Sequence, residues 1–157
     1  MAFRSSLRVS QGKLVRRGGV AVHAAAFLRK RRLVLDSELR ENPLELRRIL
    51  VHELFHFVWL RLSNRIRLEW HCLIQSEFHQ RARGELGWSS QWRKAKLQPS
   101  DAAARTRKWR EYLCESFCDS AASLLVPDHP EMTLAPRFRR RRNQWFAPLM
   151  KRQPLPL

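Results

Sequence analysis

Apolar positions are sparse and weakly alternating at the start of the chain and become dense at helical spacing from residue 43 onward. The sequence therefore predicts a small β region followed by a mainly helical body. Within residues 1–19, Leu7, Val9, Leu14 and Val15 stand around Gly12 and Gly18-Gly19, a pattern of short strands or an ordered arm. Val20 to Leu28 and Arg32 to Leu35 are short apolar runs separated by a basic turn, which predicts two strands in an antiparallel hairpin. Ala24-Ala25-Ala26 is weak strand material within the first of them.

The next boundary is sharper. Asn42 is a good N-cap, Pro43 suits the first helical position and Glu45 follows three residues after the cap, so a helix should begin at Pro43. From Leu44 to Leu62 apolar residues fall on nearly every face, the pattern of a helix surrounded by protein. Arg65 to Ala82 reads as a second, amphipathic helix ending near Gly84, with a loop from Gly84 to Trp88. Ser89 or Ser90 starts a short helix through Leu97. Pro99-Ser100-Asp101 starts another, striped by Trp109, Tyr112, Leu113, Phe117, Ala121 and Leu124, which Pro127 and Pro130 stop. Residues 131–157, with five arginines between positions 137 and 142 and a Pro-rich end, read as a basic tail on a single domain spanning 1–130. The expected fold is α+β: a small N-terminal antiparallel sheet or hairpin packed on a mainly helical core.

Composition narrows this further. The 157 residues are 44% hydrophobic with six Trp and eight Phe, which argues for one folded core and against disorder. The longest apolar stretch, Ile49 to Leu60, is interrupted by His52, Glu53 and His56 and is too short for a bilayer-spanning helix of roughly 20 residues, so no membrane span is expected. An export signal at Arg16-Arg17-Gly18-Gly19 and Val20 to Leu28 is disfavoured, because His23 interrupts the apolar part and Arg29-Lys30-Arg31-Arg32 follows at once. Three cysteines, Cys72, Cys114 and Cys118, cannot all pair within the chain, which points to a reducing cytoplasm. The excess of 31 Lys+Arg over 14 Asp+Glu, a net +17, favours a nucleic-acid or acidic-protein partner, although no nucleic-acid fold motif is present. Trp88 and Trp92 would stack bases, line a peptide cleft or complete the core.

Candidate chemistry lies in the first helix, which contains His52-Glu53-Leu54-Phe55-His56. Four residues advance a helix by about 400°, so the two imidazoles stand about 40° apart and about 6 Å along the axis, on one face and able to share one metal. Glu53 sits about 100° around from His52, beside such a metal, where a carboxylate can take a proton from an attacking water. Burying two His and a Glu in the most apolar helix without partners would cost several kcal/mol, which favours a dication over core histidines. A third histidine six residues beyond His56 is excluded, since that position is Leu62. Downstream, Glu115 and Asp119 are four apart on the striped helix and share a face, one suited to bind the metal and one to accept a hydrogen bond from a ligand imidazole.

These residues resemble the gluzincin zinc metallopeptidases, whose ligands are two His of His-Glu-x-x-His and a Glu of a later Glu-x-x-x-Asp helix. The run Leu124-Leu125-Val126-Pro127 after Glu115 and Asp119 is also similar to the compact ImmA/IrrE group. The resemblance implies a zincin-like fold and one zinc ion held by His52, His56 and Glu115. It also implies Glu53 as general base, Asp119 orienting His52, and a peptide or protein substrate, for which an exposed strand within Val20 to Leu35 would offer an edge of unpaired backbone groups. Fifty-eight residues separate His56 from Glu115, a longer interval than many such enzymes use. Rival third ligands stand in that interval: Glu69, His71, Glu77 and His79, on a helix where polar residues commonly face solvent. Cys114 and Cys118 are also four apart and would close a Cys2His2 structural site with His52 and His56. The competing functional class is thus a basic nucleic-acid-associated binding protein with a structural or inactive zinc site.

Overall fold

A computed structural model describes residues 1–10, 13–15, 17–127 and 133–151. Among these residues, two three-stranded sheets pack against six helices. In the first sheet, β5 (Ala24–Phe27) and β6 (Arg32–Asp36) form an antiparallel hairpin as expected, with Ala24 opposite Leu35 and Phe27 opposite Arg32, but the expected first strand from Val20 to Leu28 is split, since Val20–Ala21 pairs in the other sheet. The basic turn between them is a short 3-10 turn, Leu28–Lys30, closed by Arg31 in the left-handed region at φ 46°. β1 (Ala2–Arg4) adds to the other side of β6 in parallel, a long-range pairing that local alternation cannot announce. β2 (Arg8–Ser10), β3 (Lys13–Val15) and β4 (Val20–Ala21) form a separate antiparallel sheet with β2 in the centre. Asp36 links the two: its carboxylate accepts from the Leu7 N–H at 2.7 Å and from the Glu38 N–H at 3.1 Å, where the chain turns toward the helices. Gly12 and Arg16 lie outside the described residues.

α1 (Pro43–Arg61) begins where its capping signals place it, with the Asn42 side chain accepting from the Glu45 N–H. It is not enclosed by protein over its whole length: Ile49, Phe55 and Val58 are buried, whereas Leu44, Leu54 and Leu60 reach solvent. The N-terminal half of α1 packs Ile49, Leu46 and Leu50 onto Leu33, Leu35 and Leu39 of the sheet region. Its C-terminal half enters the main core with α2 (Asn64–His79), α5 (Arg107–Leu125) and α6 (Pro136–Lys151), around Trp70, Ile74, Trp109, Phe117 and Phe146. The helix expected from Pro99 is broken into α4 (Pro99–Ala103) and α5, because Arg105 turns into the left-handed region at φ 48° and the Thr106 hydroxyl caps α5 at Trp109. α3 (Trp88–Lys94) has Gly87 as its N-cap, two or three residues earlier than the serines suggest. No helix among the described residues is long and apolar enough to cross a membrane.

The reading of the C-terminal stretch as a tail requires correction at 136–151, which form α6 and put Phe138, Arg142, Phe146 and Leu149 into the core. The run of arginines hides one that differs from its neighbours. Arg137 and Arg140 are exposed, but Arg142 is fully buried and forks onto two carboxylates, Glu77 of α2 at 2.7 and 2.9 Å and Glu85 at 2.8 and 3.2 Å. Lys94 donates to Glu85 at 2.9 Å, and the Tyr112 hydroxyl donates to the same carboxylate. Two cations, buried Arg142 and partly buried Lys94, therefore face two buried anions, so no charge is left uncompensated. Pro130, 131–132 and 152–157 lie outside the described residues.

Two measurements test this cluster. Arg142→Ala leaves Glu77 and Glu85 buried without their main partner and should lower the unfolding free energy by about 3–5 kcal/mol in a urea titration. A loss under about 1 kcal/mol would show that α6 does not hold those charges. Burial pushes the Glu85 carboxyl up, but Arg142 and Lys94 outweigh it and hold it down at about 2, against an ordinary 4.5. A depressed folded value means the unfolded chain binds the proton more readily. Stability from Glu85 is then complete above about pH 4.5 and is lost as pH falls toward 2. Wild type should lose stability more steeply than Glu85→Gln across that window.

Candidate metal centre

α1 and α5 lie side by side in opposite directions, so that His52 faces Asp119 and His56 faces the turn carrying Cys114 and Glu115. The spacing of four on α1 puts both imidazoles on one face, with ring centroids 4.9 Å apart. The same spacing on α5 aligns Glu115 with Asp119 and Cys114 with Cys118. His52 Nδ1–H donates to Asp119 Oδ1 at 2.7 Å, a direction fixed by the carboxylate, which can only accept when ionised. His52 Nε2 then faces Glu115 Oε2 at 3.2 Å, and His56 Nε2 lies 3.9 Å from the same oxygen. On the opposite edge of the His56 ring, Nδ1 lies 3.4 Å from Cys114 Sγ and 3.5 Å from Cys118 Sγ.

His52, His56 and Cys118 each bring a ligand-capable atom within 4.8 Å of the other two, a buried group that could hold a metal ion. A further feature fits a cation. Glu115 Oε2 is buried and lacks a hydrogen-bond partner of good geometry, although it lies between two imidazole nitrogens. Donors about 2.0–2.2 Å from a tetrahedral zinc stand roughly 3.3–3.5 Å from one another. The separations of 3.2 and 3.9 Å fall close to that range.

The electrostatics agree. Burial pushes the Glu115 carboxyl up, but contact with His52 and the charges of His56 and Arg93 outweigh it and hold it at about 2. Burial lowers the basicity of His52, yet Asp119 and Glu115 reverse this and raise it well above its ordinary value. His56 is likewise raised by Cys114 and Glu115 against its burial. Burial pushes the Cys118 thiol far up, whereas a hydrogen bond from Cys118 brings Cys114 down to about 6. Glu115 is thus held as an anion beside the two imidazoles, and burial disfavours the Cys118 thiolate. Glu53 faces the Ala26 backbone N–H of β5, and burial raises its carboxyl above the ordinary value despite both histidines.

α3 supplies what the sequence did not reveal. Arg93 Nη2 donates to Glu115 Oε1 at 3.0 Å, and its Nη1 donates to the Ser89 carbonyl at 3.2 Å. The Ser90 backbone N–H donates to Asp119 Oδ2 at 2.9 Å. Gly87 passes so close that a Cβ there would stand 2.4 Å from Asp119 Cγ and Oδ1. In the sequence Arg93 is one member of a basic run, and only its spacing of four from Ser89 hints at an inward orientation. Trp88 and Trp92 stack on each other at 6.1 Å, 63% and 45% exposed, and do not complete the core.

None of the rival ligands meets the two histidines. Glu69 is exposed and paired with Arg65, and His79 is exposed. Buried His71 accepts at Nδ1 from Trp109 Nε1–H, and buried Glu77 is engaged by Arg142. The expectation that polar residues of this helix face solvent fails for these two, since each has a partner inside the core. Comparison with other proteins adds no name: no family model, no curated protein and no solved structure matches the chain.

Orientation of His52 by Asp119 should govern metal affinity. Asp119→Asn removes the anionic acceptor and Gly87→Ala forces a Cβ into Asp119. Each is expected to weaken zinc binding about 10–100-fold in a chelator-competition titration. Wild-type affinity in both variants would show that this contact does not hold the imidazole for metal.

Proposed function

We propose that the protein is a zinc-dependent metallopeptidase of the gluzincin type, with His52, His56 and Glu115 as the residues that hold the ion and Glu53 as general base. The single observation that carries this reading is Glu115 Oε2, buried without a hydrogen-bond partner and close to Nε2 of both histidines. When bound, zinc supplies Lewis acidity, which polarises a carbonyl and makes a water more acidic. Glu53, next to His52 on α1 and beside the sheet edge, accepts the proton of the attacking water and passes it to the leaving amine. Asp119 holds the His52 ring in the tautomer whose Nε2 lone pair is free. Arg93 fixes Glu115 by its other oxygen.

The substrate site follows from the sheet. Among the described residues β5 is an edge strand, paired only with β6. Because the Asp36 N–H bonds to the His23 carbonyl, the bonded pairs continue through Ala25 and Phe27, and the backbone groups of Ala24 and Ala26 point away from β6. An extended peptide adding to that edge would lie next to Glu53. Cys72, Cys114 and Cys118 are unpaired, in keeping with a cytoplasmic enzyme.

A second reading is favoured by one observation, the two sulfurs beside His56 Nδ1: a closed structural site using Cys118, in a basic nucleic-acid-associated protein. Zinc content and cleavage of a mixed peptide library by Glu53→Gln, Glu115→Gln and Cys118→Ser separate the two. The peptidase reading expects Glu53→Gln to keep one zinc and lose cleavage by about 10²–10⁴-fold. It expects Glu115→Gln to lose the ion and Cys118→Ser to retain both metal and activity. Zinc lost from Cys118→Ser but kept by Glu115→Gln, with no cleavage by wild type, would replace it with the structural site.

A further inference from the structure

About one helical turn beyond His56 along α1, a second concavity opens between α1, α2 and the start of α5. It has a volume of about 390 Å³, within the range of small-ligand pockets, and opens to solvent. Three of its lining residues are arginines, Arg67 of α2, Arg105 at the α4–α5 corner and Arg110 of α5, and no carboxylate lines it. Arg67 is held by Asn64, whose Oδ1 accepts from Nη2 at 3.1 Å, and its Nε is buried with no hydrogen-bond partner. Arg105 occupies the left-handed region at φ 48°, where an arginine costs more than glycine or asparagine would. Aromatic side chains also line it, among them Trp59, braced against Phe117 with ring centroids 5.1 Å apart. Burial and the charge of Arg105 lower the basicity of His71 in the floor, so the positive charge comes from the guanidinium groups.

We infer that this cavity binds a nucleotide, its phosphate on Arg67, Arg105 and Arg110 and its base against the Trp59 indole. Three guanidinium groups without a neighbouring acid in the cavity suit a multiply charged phosphate, which their donor forks can grip in pairs. A carboxylate side chain would use one fork and leave the aromatic wall bare, whereas a base has a flat face to stack there. The nucleotide is either free or a unit of a single-stranded nucleic acid, two sources with the same recognition chemistry. The inference does not depend on the metal centre being catalytic, because it uses none of its residues.

Binding of ATP, AMP, inorganic phosphate, oligothymidylate and hexaglutamate to the zinc-loaded protein, followed by tryptophan fluorescence and calorimetry, tests it. ATP or oligothymidylate should bind saturably with one site per chain. Arg105→Asn with Arg110→Gln, substitutions compatible with the left-handed corner and an exposed helix face, should weaken that binding at least about tenfold. Arg29→Gln with Lys30→Gln removes the same charge from an exposed turn outside the cavity and should change it by less than about twofold. Trp59→Leu should weaken ATP more than inorganic phosphate, a readout that charge alone would not produce. Competition between ATP and oligothymidylate, with the tighter of the two, identifies the source. The inference fails if neither nucleotide nor oligothymidylate saturates a site, if the charge-matched control loses as much as the cavity variant, or if hexaglutamate binds as tightly as ATP.

Discussion

The Asp119 carboxyl lies in a place with no access to solvent, and the arrangement around it answers that constraint. A buried carboxylate without partners would cost far more than one domain can absorb, so each of its oxygens must be satisfied from a neighbouring element. α1 answers with the His52 N–H and α3 with the Ser90 N–H. α3 comes near enough only because Gly87 has no side chain to meet the carboxylate. One acidic residue thereby fixes the mutual placement of three helices, and in doing so decides which nitrogen of His52 remains available. Glu115, one turn earlier on α5, inherits that placement: one oxygen is taken by Arg93 of α3, and the other is left facing the histidines.

A second group of buried charges extends this order to the end of the described chain. Arg142 of α6 and Lys94 of α3 neutralise Glu77 of α2 and Glu85 in the segment leading to Gly87. Glu85 is two residues before Gly87, and Lys94 directly follows the arginine that holds Glu115. The two clusters thus share α3, a helix of only seven residues that propensity alone would not sustain. Helix α3 is ordered because charges on both of its sides need it.

How far the sequence makes this legible depends on whether a feature is local. The Asn42-Pro43 start of α1, the β5–β6 hairpin and the one-face placement of His52 with His56 and of Glu115 with Asp119 all follow from spacings of a few residues. The proximity of α1 to α5 was expected only through resemblance, since nothing in the sequence between 56 and 115 measures a distance. Three things were hidden because they are tertiary. Arg142 looks like its solvent-facing neighbours until two carboxylates from elsewhere in the chain surround it. Arg93 belongs to a basic run by composition but to Glu115 by geometry. The break at Arg105 overrides a helical stripe because Thr106 offers α5 its own cap and Asp101 accepts from the Thr106 hydroxyl at 2.6 Å.

α5 offers α1 a carboxylate and two thiols within one helical turn, and the choice among them rests on where the imidazole lone pairs point. His52 has surrendered Nδ1 to Asp119, so any ion it binds must sit on its Nε2 side, toward Glu115. His56 presents Nε2 to that same oxygen, while its Nδ1, across the ring, meets the sulfurs. A single imidazole cannot direct both nitrogens at one ion, so a site shared with His52 through the two Nε2 atoms draws on Glu115 and leaves the cysteines behind the ring. The sulfur set is also at hand without rearrangement, since one ligand-capable atom each of His52, His56 and Cys118 lies within 4.8 Å of the other two. What separates the two sets is the oxygen they leave: a site built on Cys118 would leave the buried Glu115 Oε2 beside two imidazole nitrogens without a hydrogen-bond partner, whereas a site that includes Glu115 would satisfy it, and that is the ground of the reading proposed above.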